Sequence, residues 1–276
     1  MKYSGIIHNH SACSKEGCYP LHALRQRWAS SLAFAAMTEH AERTTVEAYA
    51  AYIQECDALS DEQFRFIPGL EIATESGDML LLGCRTFICT TDPFQVIQQA
   101  SQHCVILLAH PEQGKIMPEV LRRVDGFEGW NGGHMGGYMP PFDWFLDWRP
   151  RFGAGKIMTG GNDIHKIDPK RKIVTVVECE TSDEQALLTA IRQGHFLTSN
   201  GIFSFTPSGQ AFYRSTFFTH ELRVTGRRLF AVFAQGYRSG WQGLNGLFEL
   251  GSSMLTTLGI DKQRRTALNR MLRQYL

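Results

Sequence analysis

The sequence predicts an α/β protein built as a closed β/α barrel. Three observations lead there. Short apolar runs alternate with segments of helical periodicity from residue 3 to residue 193, the pattern of repeated βα units. His8-Asn9-His10, Thr38-Glu39-His40, Gly69-Leu70-Glu71, Ala109-His110-Pro111 and Asn162-Asp163-Ile164-His165 each fall at or just after one of the apolar segments. In a β/α barrel the C-terminal ends of the strands share one face, and the active site belongs there. An open doubly wound sheet also gathers loops at strand ends, but it brings five of them around one small point less readily.

Tyr3–His8 reads as the first strand, which in extended form points His8 and His10 to the same side. Leu21, Leu24 and Trp28 set a helix over residues 21–31, and the compact apolar run 32–37 follows. Residues 44–60 read as a helix with Val46, Tyr49, Ala50 and Ile53 on its apolar face. Phe64–Ile67 is a strand leading to Glu71, and 79–84 with 85–89 reads as a hairpin. Pro93 near the first turn starts a helix over 93–102. Val105–Ala109 is a buried strand, Pro118–Arg123 a short helix, and Gly126–Trp130 and Ile157–Gly160 are strands. Ser182 as N-cap and Gly194 as C-cap bound a last helix over 182–193. Beyond residue 201 the alternation weakens, and 261–275 reads as a basic amphipathic helix.

Composition is that of an ordinary globular protein, 43% hydrophobic and 20% charged in 276 residues. Net charge is +1, but it is unevenly spread. Residues 1–201 carry 18 Lys and Arg against 24 Asp and Glu, and residues 202–276 carry 10 against 3. A basic tail packed on an acidic body, or on a neighbouring subunit of a homo-oligomer, accounts for this. The basic residues form no dense run, which argues against nucleic acid as a partner. Seven cysteines without a Cys-x-x-Cys pair argue against a disulfide framework and a zinc knuckle. The glycine-rich stretches 132–137 and 237–246 lack the phosphate-loop pattern. With no apolar run long enough for a bilayer and no signal peptide, the expectation is a cytoplasmic protein with no membrane partner.

A lone His-x-His is weak evidence, and any single histidine is more often a core or surface residue than a ligand. His22, His103, His195 and His220, outside the motifs, take that bland role. The motif histidines escape it by joint placement beside Glu71 and Asp163. Mixed nitrogen and oxygen donors without thiolate suit zinc, manganese or iron.

The ordered motifs resemble those of the polymerase-and-histidinol-phosphatase (PHP) family, over about residues 4–200. His8-Asn9-His10-Ser11 resembles its first motif, Thr38-Glu39-His40 its Thr-Asp-His, Gly69-Leu70-Glu71 its Gly-x-Glu, His110-Pro111 its His-Pro, and Asn162-Asp163-Ile164-His165 its Ser-Asp-x-His. Phe127-Glu128-Gly129-Trp130-Asn131, residues 190–195 and residues 198–201 resemble the carbamate-hydrolase-like branch. The resemblance implies a distorted (β/α)7 TIM-like barrel over 1–201 with a small C-terminal extension over 202–276. It also implies two or three divalent metal ions, zinc, manganese or iron, at the barrel mouth. His8, His10, Glu71 and Asp163 would hold the first, and Glu71 would bridge to a second also held by His110, with His134 completing it. His40 and His165 would hold the third. The family's Ser-Asp-Gly is here Ser14-Lys15-Glu16-Gly17. Glu16 would substitute if the loop shifts by one residue; otherwise Lys15 would place a positive charge where a cation belongs. Glu39 stands for an Asp that orients a histidine. Asp78 could approach from the hairpin, although a solvated turn is the simpler reading.

The implied activity is a metal-dependent phosphoesterase acting on a small phosphorylated molecule or nucleotide. His165, Lys166 and Arg43 are the candidate general acids or oxyanion partners. The rival readings are a carboxylic or carbamate ester hydrolase with the same cluster, and a domain that binds metal without hydrolysis.

Overall fold

The computed structural model describes residues 1–100, 102, 104–111, 116–133, 155–166 and 173–213. The described elements run β1 (Lys2–Ile6), α1 (Leu21–Trp28), β2 (Phe34–Ala36), β3 (Glu39–His40), α2 (Val46–Ala58), β4 (Arg65–Ile67), β5 (Gly69–Thr74), β6 (Gly77–Leu82) and α3 (Pro93–Gln99). They continue with β7 (Val105–Leu108), α4 (Pro118–Arg123), β8 (Gly126–Asn131), β9 (Ile157–Gly161), β10 (Val174–Glu178), α5 (Glu184–Arg192), β11 (Phe196–Ser199), β12 (Phe203–Phe205) and β13 (Ala211–Tyr213). The described residues up to Phe212 belong to one compact unit. The expected helix over 261–275 lies outside the described residues.

The strands form two sheets. One has the order β13-β12-β11-β10-β1-β2-β4, the other β3-β5-β6-β7-β8-β9. The α/β class holds, but the ladders of the described residues do not run as one closed, all-parallel ring. β1–β2, β2–β4, β3–β5, β7–β8 and β8–β9 are parallel. The pairs β5–β6, β6–β7, β1–β10 and β10–β11 are antiparallel. The two-residue link between β5 and β6 explains one reversal, since a parallel return needs a crossover of a dozen residues or more. Three backbone bonds join the sheets beyond β1 and β9: Asn162 N to Ile7 O at 2.9 Å, Asp163 N to His8 O at 2.7 Å and His10 N to Ile164 O at 3.1 Å.

Several sequence expectations shift. The hairpin is β5–β6, not 79–84 with 85–89, and residues 85–89 form no strand. In α2 the buried face is Tyr49, Tyr52 and Cys56, while Val46 is 58% exposed and Ala50 is also exposed. Burial selects a stripe at i, i+3 and i+7 that two tyrosines and a cysteine fill. The N-cap of α5 is Asp183, whose side chain accepts from Ala186 N at 2.9 Å, rather than Ser182. Its apolar stripe, Leu187, Leu188 and Ile191, packs with Phe34, Leu82, Val105 and Leu107 in the core. None of the seven cysteines is in a disulfide. Among the described residues no helix is long and apolar enough to cross a membrane.

The glycine before Leu70-Glu71 has a packing reason. A Cβ at Gly69 would lie 2.5 Å from Leu81 O and 2.6 Å from Met37 O, so β5 can approach both neighbours only without a side chain there. Gly69→Ala should destabilise the fold by about 3 kcal/mol. Thermal melting should show a drop of roughly 6–12 °C.

Candidate metal centre

His8 does not sit in an extended strand. β1 ends at Ile6, and His8 has φ +60. His110 (φ +27) and Asp163 (φ +51) also lie in the left-handed region that non-glycine residues avoid. Each follows the last residue of its strand by two positions. Backbone strain of this kind costs on the order of 1–3 kcal/mol per residue and gathers at functional sites. The convergence of His8 and His10 therefore comes from a turned backbone, not from strand alternation.

Glu71, carried by β5 and buried, is the hub. Its Oε2 lies 3.0 Å from His8 Nε2 and 3.2 Å from His10 Nε2, and its Oε1 lies 3.2 Å from His110 Nε2. Asp163 Oδ1 faces the same histidines, 3.4 Å from His10 Nε2 and 3.7 Å from His8 Nε2. His10 is stacked between His40 and His165, with ring centroids 4.5 and 4.3 Å away. Four groups bring their ligand atoms within 4.8 Å of one another: His8–His10–Glu71, His8–His110–Asp163, Glu71–Asp78–His110 and His10–His40–His165.

Seven of the nine sequence-predicted metal ligands thus meet: His8, His10, His40, Glu71, His110, Asp163 and His165. Glu16 lines the same cavity of about 310 Å³, but its Oε1 pairs with Arg43 Nη2 at 3.1 Å and it enters none of the four groups. His134 lies outside the described residues. Of the candidate catalytic residues, His165 and Arg43 line the cavity, with Arg43 60% exposed at its rim. Lys166 is exposed and is not among the lining residues. Lys15 is also exposed and outside the lining, so it puts no positive charge among the ligands.

Three acidic residues do more than the sequence suggested. Glu128, fully buried on β8, accepts from His8 Nδ1 at 2.9 Å, from the His110 backbone N at 3.1 Å and from Asn131 Nδ2 at 2.7 Å. It thereby fixes which nitrogen of His8 faces Glu71. A Cβ at Gly161 would collide with Glu128 Oε1 and sit 2.8 Å from His8 Cβ, so this contact depends on a bare backbone in β9. The Glu39 carboxylate is engaged by serines rather than by a histidine. It accepts from Ser11 N at 2.9 Å, Ser14 N at 3.1 Å and Ser14 Oγ at 2.6 Å, pinning the loop after His10. Asp78, on β6, is no solvated turn: its Oδ2 lies 3.7 Å from His110 Nε2, in the cavity wall. A carboxylate in a strand otherwise buried on both faces was the available sequence signal for Glu128. Asp78 and Glu71 face each other across the β5–β6 ladder two residues out of register, which no local pattern discloses.

The donor set fits divalent cations. His10 Nδ1 and Nε2 are both buried without a hydrogen-bond partner, and a bound cation would satisfy the nitrogen that faces Glu71 and Asp163. Burial alone would lower the His8 pKa, but Glu71, Glu128 and Asp163 outweigh it and raise the value well above its usual range. Burial would raise that of Glu71, yet His8, His10 and His110 hold it well below the ordinary carboxylate value. The pKa values of His8, His10 and His110 are all raised, so protons on these three would balance the carboxylates where cations would otherwise do so. Loading metal must displace them, because a ligating imidazole is neutral. Calorimetry in buffers of differing ionisation enthalpy should record proton release near neutral pH. Apparent affinity should fall by about tenfold per pH unit for each proton displaced as pH is lowered from about 8 to about 6.

No protein-family model matches the chain, and no curated protein matches it. Solved structures do. One is a two-domain protein from Bacteroides vulgatus ATCC 8482 containing a predicted PHP-like metal-dependent phosphoesterase. It has a TM-score of 0.54 and 17% identity, over 72% of this chain and 65% of that one. Another is PsfC from Pseudomonas syringae PB-5123, with a TM-score of 0.50 and 13% identity, over 68% of this chain and 87% of that one. The chain thus spans about two thirds of the first protein's length. At these identities the likeness establishes a shared fold.

Proposed function

We propose that this chain is a metal-dependent phosphoesterase of the PHP type, hydrolysing a small phosphorylated molecule or nucleotide. The observation that carries the reading is Glu71, whose two oxygens face separate sets of donors, His8 with His10 on one side and His110 on the other. Such a carboxylate sets the spacing of two cations. The likeness of fold to a protein containing a predicted PHP-like phosphoesterase supports the same reading. The bonds between the end of β1 and the end of β9 support a distorted barrel that draws strands from both sheets.

His8, His10, Glu71 and Asp163 would hold one cation, Glu71 and His110 with Asp78 a second, and His40 with His165 a third. Bound divalent cations supply Lewis acidity, neutralising phosphoryl oxygens and acidifying water at neutral pH. The chain's own groups do the rest. Glu128 holds His8 by its Nδ1, leaving Nε2 aimed at the cavity. Arg43, half-engaged by Glu16 at the rim, binds a phosphoryl oxygen through its planar fork. Where the third cation is not bound, His165, 35% exposed beside Asp163, would instead be free to give a proton to the departing oxygen.

The test is turnover. Protein reconstituted with manganese, zinc or iron should hydrolyse an aryl phosphate, lose that activity to a chelator, and lose it again in His110→Ala. Faster cleavage of the matching aryl carboxylate or carbamate ester would place the chain with ester hydrolases. A fully metallated protein inert toward a broad phosphoester panel would refute the reading.

A further inference from the structure

Three buried cysteines gather around Tyr49, away from the metal centre. Cys56 lies on α2 itself, Cys84 two residues past β6, and Cys104 immediately before β7. All three stand close enough to act on the Tyr49 hydroxyl. That hydroxyl donates to Cys84 O at 2.7 Å and ties the chain after β6 to the helix.

Strand register brings two of them together. β6 and β7 run antiparallel with Leu82 opposite Val105, so the next pair in register is Gly83 with Cys104. Residues facing each other across such a ladder have α-carbons about 4.5–5.5 Å apart, within the span of about 4.4–6.8 Å that a disulfide bridges. Gly83 has φ +77, and a Cβ on it would collide with Leu188. The left-handed turn there is followed at once by Cys84, whose thiol is in hydrogen-bond contact with that of Cys104. Cys84 also donates to Thr86 O at 3.1 Å. Burial raises the thiol pKa values of Cys13, Cys56 and Cys179, whereas the hydrogen bond from Cys104 lowers that of Cys84 in spite of burial.

We propose that Cys84 and Cys104 are a dithiol pair that a peroxide closes to a disulfide within the native fold. The Cys84 thiolate attacks one peroxide oxygen, so that an S–O bond forms, the O–O bond breaks and hydroxide leaves. The Cys104 thiolate then attacks the sulfenic sulfur, so that the S–S bond forms and the S–O bond breaks, releasing a second hydroxide. The two thiol protons turn these into two waters, and the sulfurs lose the two electrons that the peroxide gains. Cys84 is 0% and Cys104 2% exposed, so the reaction waits on local opening and is slower than at the exposed Cys18 and Cys89. The link staples β6, which carries Asp78, to β7, which leads to His110, at the strand ends away from the metal centre.

The full chain, reduced and desalted, is treated with hydrogen peroxide, quenched, alkylated under denaturing conditions and mapped by tryptic peptide mass. The expected result is the peptide bearing Cys84 joined to the one bearing Cys104, released again by dithiothreitol. The link should persist in Cys89→Ser, which removes the other cysteine of the second peptide, and vanish in Cys104→Ser. The map of the parent decides the matter even where Cys104→Ser folds poorly. Closing a loop of about 20 residues should raise the melting temperature of the linked protein by roughly 6–12 °C over the reduced form. A peroxide dose that oxidises Cys18 and Cys89 while Cys84 and Cys104 stay free thiols overturns the proposal. A link from Cys56 to either of them does the same. So does a linked protein that melts no higher than the reduced one, because its bridge would not fit the native strands.

Discussion

Glu71→Gln should strip the centre of the two cations that Glu71 would hold and lower the proposed phosphoester turnover by about 10³-fold or more. Its two oxygens face different sets of histidines. Its Oε2 serves His8 and His10, and its Oε1 serves His110. Glutamine preserves the shape but replaces one oxygen by an amide nitrogen that only donates. It also removes the negative charge that offsets two cations. Metal content after dialysis separates this from a folding defect: the variant should melt cooperatively yet retain less than a tenth of the parent's metal. Retention of the parent's full complement would mean that Glu71 is a structural partner of histidines rather than a bridge.

Glu128→Ala should act through both stability and affinity. The carboxylate is fully buried and holds His8 Nδ1, the His110 backbone N and Asn131 Nδ2 at once. Its loss leaves the imidazole of His8 partly uncompensated in the interior, a cost of about 3–5 kcal/mol in the metal-free protein. It also frees His8 to rotate, which should weaken metal binding by about 10–100-fold. Glu128→Gln keeps one accepting oxygen in place of two, so it should fall between the parent and alanine on both scales. The two readouts are a chelated melting curve and a metal titration. Glu128→Gln matching the parent in both would show that the strained backbone at His8 and His110 needs no such support.

The legible part of the site was its ligand types. Histidines and carboxylates in five motifs beside apolar runs were enough to nominate His8, His10, His40, Glu71, His110, Asp163 and His165, and these side chains do converge. The reasoning from strand alternation at His8-Asn9-His10 was sound chemistry on the wrong backbone. The left-handed turn at His8 has no local signal, because histidine adopts it only where the surrounding structure over-determines it. Glu39 shows the converse. The motif suggests that it orients a histidine, but its carboxylate accepts from the amides of Ser11 and Ser14 instead.

The fold divides in the same way. Helix α4 and the strands β7 to β9 lie within a residue or so of their expected bounds, because apolar periodicity and proline starts are local facts. The hairpin was misplaced and β10 to β12 were not foreseen, because strand pairing depends on partners far along the chain. β10 pairs with β1 across more than 170 residues, Lys2 opposite Glu178.

By itself, then, the amino-acid order determined the α/β class, the approximate element boundaries and a donor set of imidazole and carboxylate without thiolate. These depend on hydrophobic period and residue chemistry, which any single chain displays. Only the tertiary structure decided that Glu128 clamps His8 and that Glu16 turns to Arg43. It also decided that Asp78 joins His110 rather than solvent. Those outcomes depend on sheet register and on backbone angles at strand ends, and both are set by packing among segments that lie far apart in the chain.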